Sequence, residues 1–81
     1  MLEVGQIVKS TAGHDKGDLL VVAGFEGKAV LVCDGKSRPL ERPKKKNVRH
    51  IESVGTAIGM DLMSTNRKLR KTINKIANPG G

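Results

Sequence analysis

Apolar and polar positions follow two regimes along this chain. From Gly5 to Cys33 apolar residues come in short bursts separated by glycine, and beyond Ser64 they recur with a helical period. In Gly5–Ser10, Ile7 and Val8 sit among strand-forming residues with Lys9 polar, which predicts a strand. Residues 11–18 are rich in Gly and Asp and predict a turn, where Gly13 and Gly17 can adopt a positive φ that other residues avoid. Leu19–Phe25 is a β-rich apolar run that suits a strand buried on both faces. Glu26-Gly27 suits a tight hairpin connection to a second arm, Lys28–Cys33. Asp34–Ser37 reads as another hairpin turn. Pro39 and Pro43 confine any strand over residues 38–43 to a short edge. After the basic run Lys44–Lys46, residues 47–51 alternate, with Val48 and Ile51 apolar against Arg49 and His50, and predict a last short strand.

The pattern then changes. Residues 53–63 include Ser53, Gly55, Thr56 and Gly59 and read as a linker. Leu69, Ile73 and Ile76 recur at i, i+4 and i+7 and predict a helix over 64–77, with Ser64 or Thr65 as N-cap. Arg67, Lys68, Arg70, Lys71 and Lys75 cover its other side. A helix of about three turns is marginal alone, and a basic first turn opposes its macrodipole. It therefore requires a docking surface. Residues 78–81 read as a disordered end. The expected fold is mainly β: a small five-stranded barrel over 1–52, then a short C-terminal α-helix.

The chain of 81 residues has room for one domain. Phe25 is its only aromatic residue, so the core must be aliphatic, and a surface that stacks several bases on rings is excluded. Cys33, the sole cysteine, lies in an apolar run and reads as a small buried hydrophobe. It forms no intramolecular disulfide and no zinc cluster. No signal-peptide pattern and no membrane-length apolar run are found, which together with the lone cysteine predicts a cytoplasmic protein.

Charge changes the picture most. The formal net charge is +7, yet residues 1–35 hold three basic and five acidic groups, whereas 36–50 hold seven basic and one acidic. Residues 51–81 add five basic and two acidic groups. Clustering of this kind is the footprint of nucleic-acid binding. The main candidates are Lys36, Arg38, Arg42, Lys44, Lys45, Lys46 and Arg49, in a segment held extended by its prolines and able to track phosphates. In the 11–18 loop, His14 and Lys16 could add side-chain contacts beside backbone N–H groups. Arg67, Lys68, Arg70 and Lys71 either form a second RNA contact or are solvated charges on a helix packed against the barrel, and the two are compatible. His14 and His50 stand far apart with no ligand spacing, no paired carboxylates or nucleophile triad is suggested, and the glycines lack a Walker ending. No enzyme activity, metal, cofactor, small-molecule substrate or membrane partner is therefore expected.

The stretch Ile7–Cys33 resembles a KOW motif, a 27-residue segment of alternating apolar and polar residues whose eleventh position is glycine, here Gly17. Gly5–Val22 matches it closely, and Leu31–Glu52 extends the likeness. The chain is similar to the small bacterial KOW-domain RNA-binding proteins. These are themselves similar to archaeal and eukaryotic large-subunit ribosomal proteins of the fourteen-e, six-e and twenty-seven-e group. The resemblance implies an SH3-like barrel, RNA binding and association with the ribosome; the expected partner is ribosomal RNA of the large subunit, with the protein a monomer off the ribosome. It also implies RNA contacts from loops at one barrel end, here Thr11–Lys16, Lys36–Arg38 and Arg42–Arg49. The alternative is an SH3-like protein-interaction module, for example in transcription elongation, although a peptide groove of that kind wants aromatic residues.

Overall fold

The computed structural model of the protein describes residues 2–80. Five antiparallel strands form one sheet: β1 (Gln6–Ser10), β2 (Leu19–Glu26), β3 (Ala29–Cys33), β4 (Lys44–Asn47) and β5 (Ile51–Ala57), in the order β4-β3-β2-β1-β5. One helix follows, α1 (Asn66–Ala77). The fold is mainly β with a short C-terminal helix, in the manner of a small SH3-like barrel.

Strand β2 is the hub. Its first part, Leu19–Val21, pairs with β1, and Val21–Glu26 pairs with β3, with a register shift between Val22 and Gly24. Such a bulge sharpens local twist and lets one strand serve both halves of a curled sheet. Strands β4 and β5 lie at opposite ends of the sheet yet follow one another through a single 3-10 turn, Val48–His50. Thr11 N donates to His50 O at 2.9 Å there, and Lys46 Nζ donates to Ala12 O at 3.0 Å, so the β1–β2 loop bridges the gap.

The sheet carries an apolar cluster on each face. Val8, Leu20, Val22, Val30 and Val32 fill the barrel interior. Ile7, Val21 and Cys33 alternate to the other face, where Leu69, Ile73 and Met63 cover them. The run Leu19–Phe25 is buried on both faces over Leu20–Val22, as its pattern predicts, and α1 supplies the second cover. The helix thus finds its docking surface on its own barrel. Cys33 is fully buried, and that burial pushes its thiol up to about 11, with Asp34 and Glu41 adding to the effect.

Several boundaries differ from expectation. Residues 38–43 form no strand, since Pro39 and Pro43 have no N–H for a ladder, and β4 starts just after Pro43. The strand expected over 47–51 is instead the 3-10 turn, begun by Asn47 Oδ1 accepting from Arg49 N at 2.9 Å. The barrel does not end at residue 52, and 53–63 is not a linker. Strand β5 runs to Ala57 along β1, and a 3-10 turn, Met60–Met63, then delivers Met63 to the helix-covered core. Strand β5 has a sheet neighbour on one side and is exposed after Ile51, so backbone pairing rather than apolar side chains holds it. Helix α1 starts at Asn66 rather than 64, with Thr65 Oγ1 accepting from Lys68 N at 3.1 Å as the cap. Of the expected disordered end, Pro79 and Gly80 form a turn, and residue 81 lies outside the described residues.

Candidate nucleic-acid interface

The basic block divides in two. In β4 the side chains alternate, and Lys44 and Lys46 pair with Val32 and Val30, which face the barrel interior. Lys46 is only 7% exposed. Its ammonium lies 2.9 Å from Asp15 Oδ1, and Ser10 Oγ lies 2.8 Å from the same oxygen. Lys44 Nζ stands 3.6 Å from Asp15 Oδ2. Burial of Asp15 works to raise its pKa, but hydrogen bonds from Lys46 and Ser10 and the charges of Lys46 and Lys44 outweigh it and hold the carboxyl at about 2. Lys46 therefore closes the barrel and is withdrawn from any phosphate, contrary to the expectation of an exposed run. Lys44 is half-buried beside it. Lys45, on the outer face, is exposed and pairs with Glu26 at 2.7 Å.

Lys36, Arg38, Arg42 and Arg49 make no salt bridge among the described residues, nor do Arg67, Lys68, Arg70, Lys71 and Lys75. Many of these cations are gathered by one junction. Gly35 has φ +81°, and a Cβ there would collide with Asn66 O and stand 3.0 Å from Arg70 N, so the β3–β4 loop lies directly on the first turns of α1. Leu40 N donates to Asn66 Oδ1 at 2.7 Å, and Asn66 Nδ2 donates to Glu41 Oε1 at 2.6 Å. Asp34 Oδ1 accepts from Lys36 N and Arg38 N, each at 2.8 Å, which sets the loop's shape.

The junction places Lys36 and Arg70 on one groove of about 370 Å³, together with Asp18 and Asn74. Arg67, Arg70 and Lys71 line an adjoining groove beside Gly35. His14 and Arg38 line a smaller cavity of about 180 Å³ that shares Asp18, Asp34 and Ser37 with the first groove. His14 and Lys16 are exposed in the β1–β2 loop, where Gly13 (φ +86°) and Gly17 (φ +93°) take the left-handed conformation expected of them. Arg42 and Lys68 are exposed but line none of these hollows. Arg49 lies apart, sharing a separate groove of about 540 Å³ with Lys28, Lys45 and Val48.

The arrangement is thus a basic face built from two segments about thirty residues apart in the chain, with a second, smaller basic patch at the β4 turn. Sequence reasoning missed Gly35, Asn66, Asp18, Asp34 and Asn74. Asn66 carried the one readable signal, its place after the predicted N-cap, but nothing local identifies the loop it grips. Among the described residues, no group of three or more His, Cys, Asp or Glu side chains is placed to hold a metal ion. No described helix is long and apolar enough to cross a membrane. No family model matches the chain, and no curated protein matches it.

Proposed function

We propose that this is an RNA-binding protein of the KOW type, associated with the ribosome, that grips ribosomal RNA by its phosphates. The observation that carries this reading is the face around Gly35, where Lys36, Arg38, Arg67, Arg70 and Lys71 assemble without a carboxylate partner among the described residues. Cations left unpaired on a rigid platform are ready to replace the counterions of a nucleic-acid backbone. A charged surface whose only task is solubility has no need of a loop and a helix locked by two side-chain hydrogen bonds and a close backbone approach at Gly35. Selection by shape comes from the barrel end, since the one ring, Phe25, lies at the far end of β2 from the β1–β2 loop. The likeness of Ile7–Cys33 to the KOW motif supports the same reading, and the cytoplasm is where such a protein would work.

The test is a titration of ribosomal RNA fragments at several salt concentrations. Log K should fall linearly with log salt, with a total slope of roughly −3 to −5, as expected for four to six phosphate contacts. Absence of binding at low salt would remove this reading and put a protein-interaction module in first place.

A further inference from the structure

The groove under the basic face also carries carboxylates, and phosphates cannot lie against them. Asp18 and Asp34 line both the 370 Å³ groove and the adjoining 180 Å³ cavity. Asp18 makes no side-chain hydrogen bond among the described residues, and Asp34 uses only Oδ1, leaving Oδ2 free. Asp15, nine-tenths buried, lines the 180 Å³ cavity as well, and its buried Oδ2 has no hydrogen-bond partner among the described residues, with Lys44 Nζ 3.6 Å away. Lys36 and Arg70 line the larger groove and Arg38 the smaller cavity. Leu19 and Ile73 give the groove an apolar wall.

This order of charge selects what can enter. Cations along both hollows suit consecutive phosphates, whereas an ionised carboxylate accepts hydrogen bonds and donates none. The part of the RNA between those phosphates must present donors. Among the four bases, guanine alone offers two adjacent donors on its Watson–Crick edge, N1–H and the exocyclic N2 amine. Adenine and cytosine place an acceptor beside their amine, and uracil places its one donor between two acceptors. In a duplex, N1–H of guanine is already committed to pairing, so the base must be unpaired, the state in which base edges are read in RNA.

We propose that this groove receives an unpaired guanine of the bound RNA, with Asp18 and Asp34 accepting from N1–H and N2 while Lys36, Arg38 and Arg70 hold the flanking phosphates. The inference deepens the RNA reading above and rests on it.

The experiment measures binding of short oligouridines carrying one central guanosine, adenosine or inosine, with all-uridine as reference. The wild type should prefer the guanosine oligomer to the adenosine one by about tenfold, with inosine, which lacks the N2 amine, in between. Asp18→Asn and Asp34→Asn should each reduce that preference to about twofold or less while all-uridine binding holds or tightens slightly, since a negative charge is removed. Asparagine at 34 keeps the acceptor that shapes the loop, and Asp18 has no side-chain hydrogen bond to lose, so both variants should melt with the wild type. Equal binding of all four oligomers by the wild type would overturn the guanine site and leave the RNA reading standing. A guanosine preference that survives both substitutions would overturn its location. Failure to bind any oligomer or ribosomal RNA fragment at low salt would remove both readings together.

Discussion

Strand β4 carries three lysines in four residues, and helix α1 carries five cations in twelve. Read as composition, both are basic stretches suited to RNA. In the structure their charges go in opposite directions. A strand sends successive side chains to opposite faces, so three consecutive lysines cannot all point outward. Two face the barrel interior and meet Asp15, and the outward one meets Glu26. In the helix, Leu69, Ile73 and Ile76 take the buried stripe, and a 3.6-residue period leaves the cations on the exposed side. The lesson is that periodicity, not charge count, decides which cations are available to a ligand.

The largest effect should come from removing the inward lysine. Lys46→Ala leaves the carboxylate of Asp15 buried without its closest cation and should destabilise the domain by about 3–4 kcal/mol in urea denaturation. Against the total expected of a small domain, on the order of 5–10 kcal/mol, that approaches unfolding. Lys45→Ala, one residue away, should cost no more than about 0.5 kcal/mol, because its ion pair with Glu26 is exposed. Equal losses at the two positions would break the contrast within β4.

Next in size is the apolar side of the helix. Leu69 is fully buried against the outer face of the sheet. Leu69→Ala should cost about 3 kcal/mol in the same assay. A near-neutral result would mean that the helix is dispensable to the barrel.

These two sites also show how much of the molecule its sequence discloses. The strand pattern of Ile7–Cys33 and the i, i+4, i+7 stripe of α1 are written in apolar spacing, so β1, β2, β3 and the docked helix are legible. Strand β5 is not, because its residues after Ile51 are exposed and its pairing to β1 is a backbone matter. The inward turn of Lys44 and Lys46 is equally hidden. A lysine becomes an interior residue only when a carboxylate waits for it, and Asp15 lies thirty-one residues away in the chain. Gly13 and Gly17 were readable because a turn asks for positive φ locally, whereas Gly35 answers to a distant helix and looks like any other loop glycine.

The Asp15 pair should also show in acid. Its folded pKa of about 2 lies below the unfolded value near 3.8, so its stabilisation is present above about pH 4 and is lost as pH falls towards 2. The amount is about 2 kcal/mol, taken from the size of that shift. Thermal melts between pH 5 and pH 2 should show this loss in the wild type. In Lys46→Met it should shrink, because the lowering influence of Lys46 is gone. An acid limb of unchanged size in that variant would assign the low pKa to Ser10 and Lys44 instead.

The smallest effect on stability should come from the outward cations of the helix. Arg67, Arg70 and Lys71 make no ion pair among the described residues, so replacing all three by alanine removes no stabilising contact. Arg67 also stands in the first turn, where its charge opposes the helix dipole, and alanine is the better helix former. The melting temperature of the triple variant should therefore hold or rise slightly. RNA binding should behave differently: the slope of log K against log salt should become shallower by about two, the loss of two to three phosphate contacts. Lys45→Ala is the matched control from the other basic element, since Lys45 already has Glu26 beside it, and it should change the slope by less than about half a unit. If the helix variant keeps the wild-type slope and Lys45→Ala flattens it, the interface lies on β4 and its turn near Arg49, and the roles assigned here to the two basic elements are reversed.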